Sequence, residues 1–181
     1  MLYFARRAVC SASWCSRTSN QEKYVKAMRN KSKPIVVVFG PAGTGKTFLA
    51  CQEGARQVME NSNSKLIITR PTTTVGSDHG YLPGNIDQKL APWLQPIYDS
   101  ISKSQEYSSK KNKFRPKIEI APLAYMRGRT FDNSWIIADE MQNATPEQTK
   151  MLLTRLGQNS TLVLTGDLQQ CDIEESGLND F

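Results

Sequence analysis

Histidine occurs once in these 181 residues, at His79, and the four cysteines (Cys10, Cys15, Cys51, Cys171) form no C-x-x-C pair. That spacing argues against both a zinc site and a disulfide framework, and it fits a reducing, intracellular setting. No apolar run approaches the roughly 20 residues that a membrane-spanning helix needs. No internal repeat is present. Acidic residues are missing from positions 1–19, which carry Arg6, Arg7 and Arg17. A Ser- and Arg-containing, acid-poor start is the composition of a disordered basic tail or of an organelle transit peptide. Arg6 and Arg7 follow the apolar Leu2-Tyr3-Phe4, the wrong order for a secretory signal.

What is present is a globular composition, 39% hydrophobic and 22% charged, in a length that suits one domain with a sizeable core. The net charge of +6 is local. Residues 1–33 hold eight Lys/Arg against the single acid Glu22, and residues 103–117 hold six against Glu106. The rest of the chain is acidic, so overall basicity is weak evidence for a nucleic-acid partner.

From residue 34 onward, apolar β-branched runs alternate with helix-like stretches. Residues 35–39 (IVVVF), 65–69 (KLIIT), 118–121 (IEIA), 135–138 (WIIA) and 161–165 (TLVLT) read as strands. Being apolar throughout, they predict a parallel sheet buried on both faces. Helices are expected from Lys46 to about Met59 and, interrupted by Pro92 and Pro96, over 86–102. A further helix is expected from a Thr145 N-cap, with Pro146 and Gln148 completing the start signal, to about Leu156, ended by Gly157. The fold class is α/β, a three-layer α/β/α arrangement with a mainly parallel sheet. The Ser/Lys-rich 102–117 stretch reads as a surface linker within the domain.

Gly40-Pro41-Ala42-Gly43-Thr44-Gly45-Lys46-Thr47 fits G-x-x-x-x-G-K-[ST] between a buried strand and a helix. The glycines let backbone N–H groups turn inward around a phosphate at a helix N-terminus. Lys46 is placed to neutralise the β- and γ-phosphates and Thr47 to ligate Mg²⁺. A second carboxylate-bearing tip is then required. Asp139 emerges where the 135–138 run stops and is the expected metal partner; Glu140 beside it is the expected base for an attacking water. Thr165-Gly166-Asp167 ends another strand, so Gln170 just beyond it is a candidate γ-phosphate sensor. His79 reads as a surface residue, Trp93 and Trp135 as core, and Tyr81 and Tyr125 as packed rather than base-stacking. No guanine-reading N-K-x-D occurs.

With these motifs in place, the chain resembles the PhoH-like ATPases, RecA-like P-loop proteins related to superfamily 1 helicases. The likeness runs from about Asn20 to Leu178. Besides the motifs above it includes Thr69-Arg70-Pro71, Gly80-Tyr81-Leu82-Pro83-Gly84, the run Ala121 to Thr130, Asp139-Glu140-Met141-Gln142-Asn143, and Thr145 to Arg155. After the tail or transit peptide of residues 1–19, the resemblance implies 20–181 as a PhoH-like P-loop ATPase domain, short at its C-terminus relative to typical relatives. It implies ATP and Mg²⁺ as cofactors, ATP hydrolysis, and a role in remodelling RNA or ribonucleoprotein with helicase-like activity. By the same resemblance Gln21 occupies the place of an adenine-reading glutamine. A single lobe implies an arginine finger from a neighbouring subunit, hence a homo-oligomer such as a hexameric ring. Arg127, Arg129 and Arg155 are the finger candidates, and Arg70 is the candidate for an RNA or phosphate contact. The basic linker, through Lys110, Lys111, Lys113 and Arg115, is a further expected RNA contact. A cytoplasmic or organellar setting, with no membrane, completes the expectation. The rival readings are a nucleotide-dependent binding module without significant turnover and a small-molecule phosphotransferase.

Overall fold

The computed structural model describes residues 16–60, 64–71, 95–102, 117–179 and 181. Five parallel strands form one sheet: β1 (Ile35–Phe39), β2 (Lys65–Arg70), β3 (Ile118–Pro122), β4 (Ser134–Ala138) and β5 (Thr161–Gly166), in the order β1-β5-β4-β2-β3. The register places Val38 opposite Thr165, Ala138 opposite Leu164 and Thr69 opposite Ala138, so the strands end together.

The two-residue alternation of a strand sorts each one into two cores. Leu66, Ile68, Trp135, Ile137 and Val163 face one layer, packed against α1 (Ser19–Arg29), α2 (Lys46–Glu60) and the helical residues 95–102 through Ile97 and Ile101. Ile67, Ile136, Leu162 and Leu164 face the other, against α3 (Pro146–Leu153) and the 3₁₀ turn Leu123–Met126. Each fully buried aliphatic side chain contributes roughly 1.5–3 kcal/mol relative to exposure. The three-layer α/β/α fold follows.

Helix α1 lies in the basic segment ahead of the first strand. Its signals are local: the Thr18 hydroxyl accepts from Gln21 N, Glu22 lies in the first turn, and Tyr24, Val25 and Met28 are buried on one face. Buried Glu53 on α2 accepts hydrogen bonds from Arg29 and Arg56, which ties α1 to α2. Burial pushes the Glu53 carboxyl up, but Arg56, Arg29 and Gln57 outweigh it and hold the group below its ordinary range.

Two local expectations are corrected. Strand β1 is one of the two edge strands of the described sheet, and Ile35 and Phe39 on one of its faces are exposed, so it is not buried on both faces. Helix α3 stops at Leu153, three residues early, because Phe131 N donates to Arg155 O and Phe131 bridges Leu156. Gly157 is then required for close approach: a Cβ there would lie 2.1 Å from Asp132 Oδ1 and 2.8 Å from Phe131 O. The Thr145 capping box and Pro146 at the helix start are as expected.

Candidate functional site: a phosphate loop facing two strand tips

Between β1 and α2 the loop turns at Gly43 (φ 76°) and Gly45 (φ 86°), conformations that a side chain disfavours. The Thr44 hydroxyl closes the loop by donating to Pro41 O at 2.8 Å, and Gly40 N donates to Gly166 O at 3.2 Å, which anchors the loop to the end of β5. Lys46 Nζ donates to Gly40 O and Pro41 O, folded over the cradle it would share with phosphates.

Asp139 stands at the tip of β4, only 9% exposed. Its Oδ1 accepts from Thr47 Oγ1 at 2.6 Å and from Thr165 Oγ1 at 2.5 Å. Residues 92 positions apart in sequence, Thr47 and Asp139, are thereby brought into direct contact. Three oxygens from the loop, β4 and β5 converge beside the glycines, a donor set suited to a hard oxygen-seeking cation such as Mg²⁺. Among the described residues no group of three or more His, Cys, Asp or Glu side chains converges; the oxygens gathered here are one carboxylate oxygen and two hydroxyls. A cleft of about 350 Å³ opens here, lined by loop residues together with Asp139, Glu140, Thr165 and Gly166. Behind it, burial raises the pKa of Tyr24, with Cys51 and Asp139 adding to the shift; burial and then Asp139 raise that of Cys51. Both stay neutral, and Tyr24 donates to Lys46 O at 3.3 Å.

Glu140 occupies the left-handed region (φ 54°, ψ 39°), an uncommon conformation for a non-glycine residue, and breaks the strand direction. Its Oε2 accepts from Gln142 Nε2 at 2.6 Å, and its Oε1 lies 3.9 Å from Arg70 NH2. Gln170 Nε2 donates to Asp167 Oδ2 at 2.5 Å, so the amide is folded onto its own turn. Gln21 donates to Thr44 O at 3.1 Å and accepts from Arg17 N at 2.6 Å, bracing the loop from outside. Neither Gln21 nor Gln170 lines the cleft.

The arginines separate. Arg70 is at the cleft margin. Arg127 is exposed beyond β3. Arg129 pairs with Glu119 at 2.5 Å and lies over the Phe131 ring, and Arg155 NH1 donates to Arg129 O at 3.3 Å. Phe131 and Arg155 adjoin the start of β4, the end of the sheet opposite the loop. Trp135 is core, as expected, whereas Tyr125 is 57% exposed, against the packed role expected for it. Gly80-Tyr81-Leu82-Pro83-Gly84, His79, Trp93, Lys110, Lys111, Lys113 and Arg115 lie outside the described residues. Two side chains of the site were missed in the sequence. Thr165 could be found only by knowing that β5 lies between β1 and β4, and Gln142 only by seeing what its amide reaches.

Comparison with known proteins agrees with this geometry. The PhoH-like protein family profile matches residues 15–181. A PhoH-like protein of Synechocystis is 44% identical over 167 residues, covering 90% of this chain and 50% of the relative. Protein PhoH of Escherichia coli K12 is 42% identical over 171 residues, covering 91% and 48%. The chain thus spans about half the length of these relatives. In structure it is similar to a Sulfolobus solfataricus SWI2/SNF2 ATPase core solved with dsDNA (TM-score 0.54, 18% identity, 84% of this chain and 32% of that one). It is also similar to the UvsW helicase of bacteriophage T4 (TM-score 0.53, 14% identity, 86% and 54%); at such identities the likeness shows a shared RecA-like fold. With the phosphate loop, the Asp139 tip and this fold in one molecule, the chain has a P-loop NTPase fold and belongs to the PhoH-like protein family.

Proposed function

We propose that this domain binds ATP with Mg²⁺ and hydrolyses it, and that hydrolysis is coupled to remodelling RNA or ribonucleoprotein. The observation that carries the reading is the meeting of Thr47 and Thr165 on Asp139 Oδ1 beside the glycine loop. In this reading the loop N–H groups and Lys46 hold the phosphates, while Thr47 and Asp139 hold the ion. Bound there, Mg²⁺ would offset charge that develops on the phosphate oxygens. Glu140, one residue beyond Asp139, orients a water; the water oxygen bonds to the γ-phosphorus, the bond to the β,γ-bridging oxygen breaks, and Glu140 Oε1 takes the proton. The acceptor is water and not a metabolite.

The RNA partner rests on the family resemblance and on the exposed Tyr125 and Arg127 and the half-buried Arg70 around the ends of β2 and β3. Arg129 and Arg155 are engaged with Glu119 and with each other at the far end of the sheet. That supports a finger arginine supplied across a subunit contact, and with it a homo-oligomer. No described helix is long and apolar enough to cross a membrane.

The test is phosphate release from ATP by the purified chain, with Mg²⁺ or EDTA, with and without single-stranded RNA, alongside its mass in solution. Metal-dependent release that needs no added metabolite and rises with RNA supports the reading. ATP binding without turnover under every condition would replace it with a nucleotide-dependent binding module.

A further inference from the structure

Gln142 is 1% exposed, and its amide serves three groups at once. Nε2 donates to Glu140 Oε2 at 2.6 Å and to Gln170 O at 3.4 Å, while Oε1 accepts from Asp167 N at 3.1 Å. A buried amide whose donor and acceptor are both engaged has one orientation open to it, because flipping would leave a buried backbone N–H facing another donor. Around it the short turn Met141–Asn143 is laced to residues 167–172. Cys171 Sγ donates to Gln142 O at 3.2 Å, Asn143 Nδ2 donates to Asp172 Oδ2 at 3.0 Å, and Asp172 N donates to Asn143 Oδ1 at 2.8 Å. Gly166 leaves the room: a Cβ there would lie 3.2 Å from Gln142 Oε1 and 2.5 Å from Leu178 Cδ1. Since Gly166 O also receives Gly40 N, one hydrogen-bonded path runs from the phosphate loop through the tip of β5 and Gln142 to Glu140.

We infer that Gln142 is a positioning residue: it fixes the carboxylate of Glu140 and ties that orientation to the 167–170 turn, so that the state of one strand tip sets the other. The inference rests on the hydrolase reading above. A free Glu140 side chain on a left-handed turn has several rotamers. The bond from Gln142 selects one, occupying Oε2 and leaving Oε1 to act. Gln142 makes no contact with the loop that holds phosphate, so its loss should appear in turnover and not in nucleotide affinity.

The test is a double-mutant cycle. Wild type, Gln142→Met, Glu140→Gln and the double variant are compared by single-turnover hydrolysis and by affinity for a fluorescent ATP analogue. Gln142→Met conserves volume and removes both ends of the amide. A role through Glu140 predicts a kcat about ten- to a hundred-fold lower, KM and affinity within about two-fold of wild type, and no further loss in the Glu140→Gln background. Losses that multiply in the double variant, or a fall in affinity equal to the fall in kcat, would overturn it as a purely structural effect. Should Gln142→Met fail to fold, Gln142→Glu keeps an acceptor for Asp167 N and removes the donor to Glu140. The same kcat loss is expected, and wild-type turnover by that variant overturns the inference. A wild type that binds ATP but never turns it over removes the hydrolase reading and this inference together. A wild type that hydrolyses ATP while the cycle proves multiplicative removes this inference alone.

Discussion

At the amino-terminal ends of the strands, Ser160 Oγ accepts from Ser134 N at 3.0 Å and donates to Phe131 O at 2.6 Å, while Asp132 Oδ1 accepts from Gln158 N at 2.7 Å. At the carboxyl ends, Thr47 and Thr165 both donate to one oxygen of Asp139, and Lys46 rests on loop carbonyls. The first set closes on the backbone: each side chain is bonded to a peptide group, and Ser160 Oγ gives the buried Ser134 N its partner. In the second set hydroxyls meet a carboxylate and an ammonium meets carbonyls, bonds that an incoming cation and phosphate can take over at little cost. Cavity size points the other way. The hollow at the amino-terminal end, lined by Arg29, Gln57, Trp135 and Asn159 among others, is about 880 Å³ against about 350 Å³ for the cleft. The chemistry of the lining, not its volume, distinguishes a site from a gap.

The sharpest way to break this contrast is Glu140→Gln, which should lower turnover by about 10²- to 10⁴-fold with nucleotide affinity retained, read by steady-state phosphate release. Lys46→Ala should weaken ATP binding by about a hundred-fold or more, measured by calorimetry, while the melting temperature stays near wild type. At the other end Ser160→Ala should do the reverse. Stability falls by about 1–3 kcal/mol in urea unfolding, because Ser134 N loses its partner, and affinity for ATP is unchanged. The smallest effect concerns pH. The folded pKa of Glu53 is depressed, so the stability it contributes is present above the unfolded carboxyl value of about 4.3 and is lost as pH falls through the folded value. Thermal melts should therefore decline below about pH 4, and Glu53→Gln should flatten that part of the profile.

Much of the carboxyl-end site is legible in the chain. Gly40 to Thr47 announces itself, and Asp139 follows from the apolar run that precedes it, because strand and tip are both local. The capping box at Thr145 is legible for the same reason. Helix α1 is encoded locally as well, by Thr18, Glu22 and the spacing of Tyr24, Val25 and Met28, but these signals lie among basic residues and only packing against α2 buries that face of the helix. The early end of α3 was not legible, because it is decided by Phe131, more than twenty residues away. The exposure of Tyr125 is not legible for a similar reason: an aromatic in an apolar stretch gives no hint that its turn projects outward.

The sequence by itself determined five largely apolar strands, the glycine turn and the acids at the facing strand tip, all products of short-range patterning. Only the tertiary structure decided the order of those strands. Each is a short, largely apolar run with no partner written into it, so the crossovers and their packing choose the neighbours. By seating β5 between β1 and β4, that choice put Thr165 against Asp139 and left β1 at the edge of the described sheet. It also gave the Gln142 amide three partners drawn from two different strand tips.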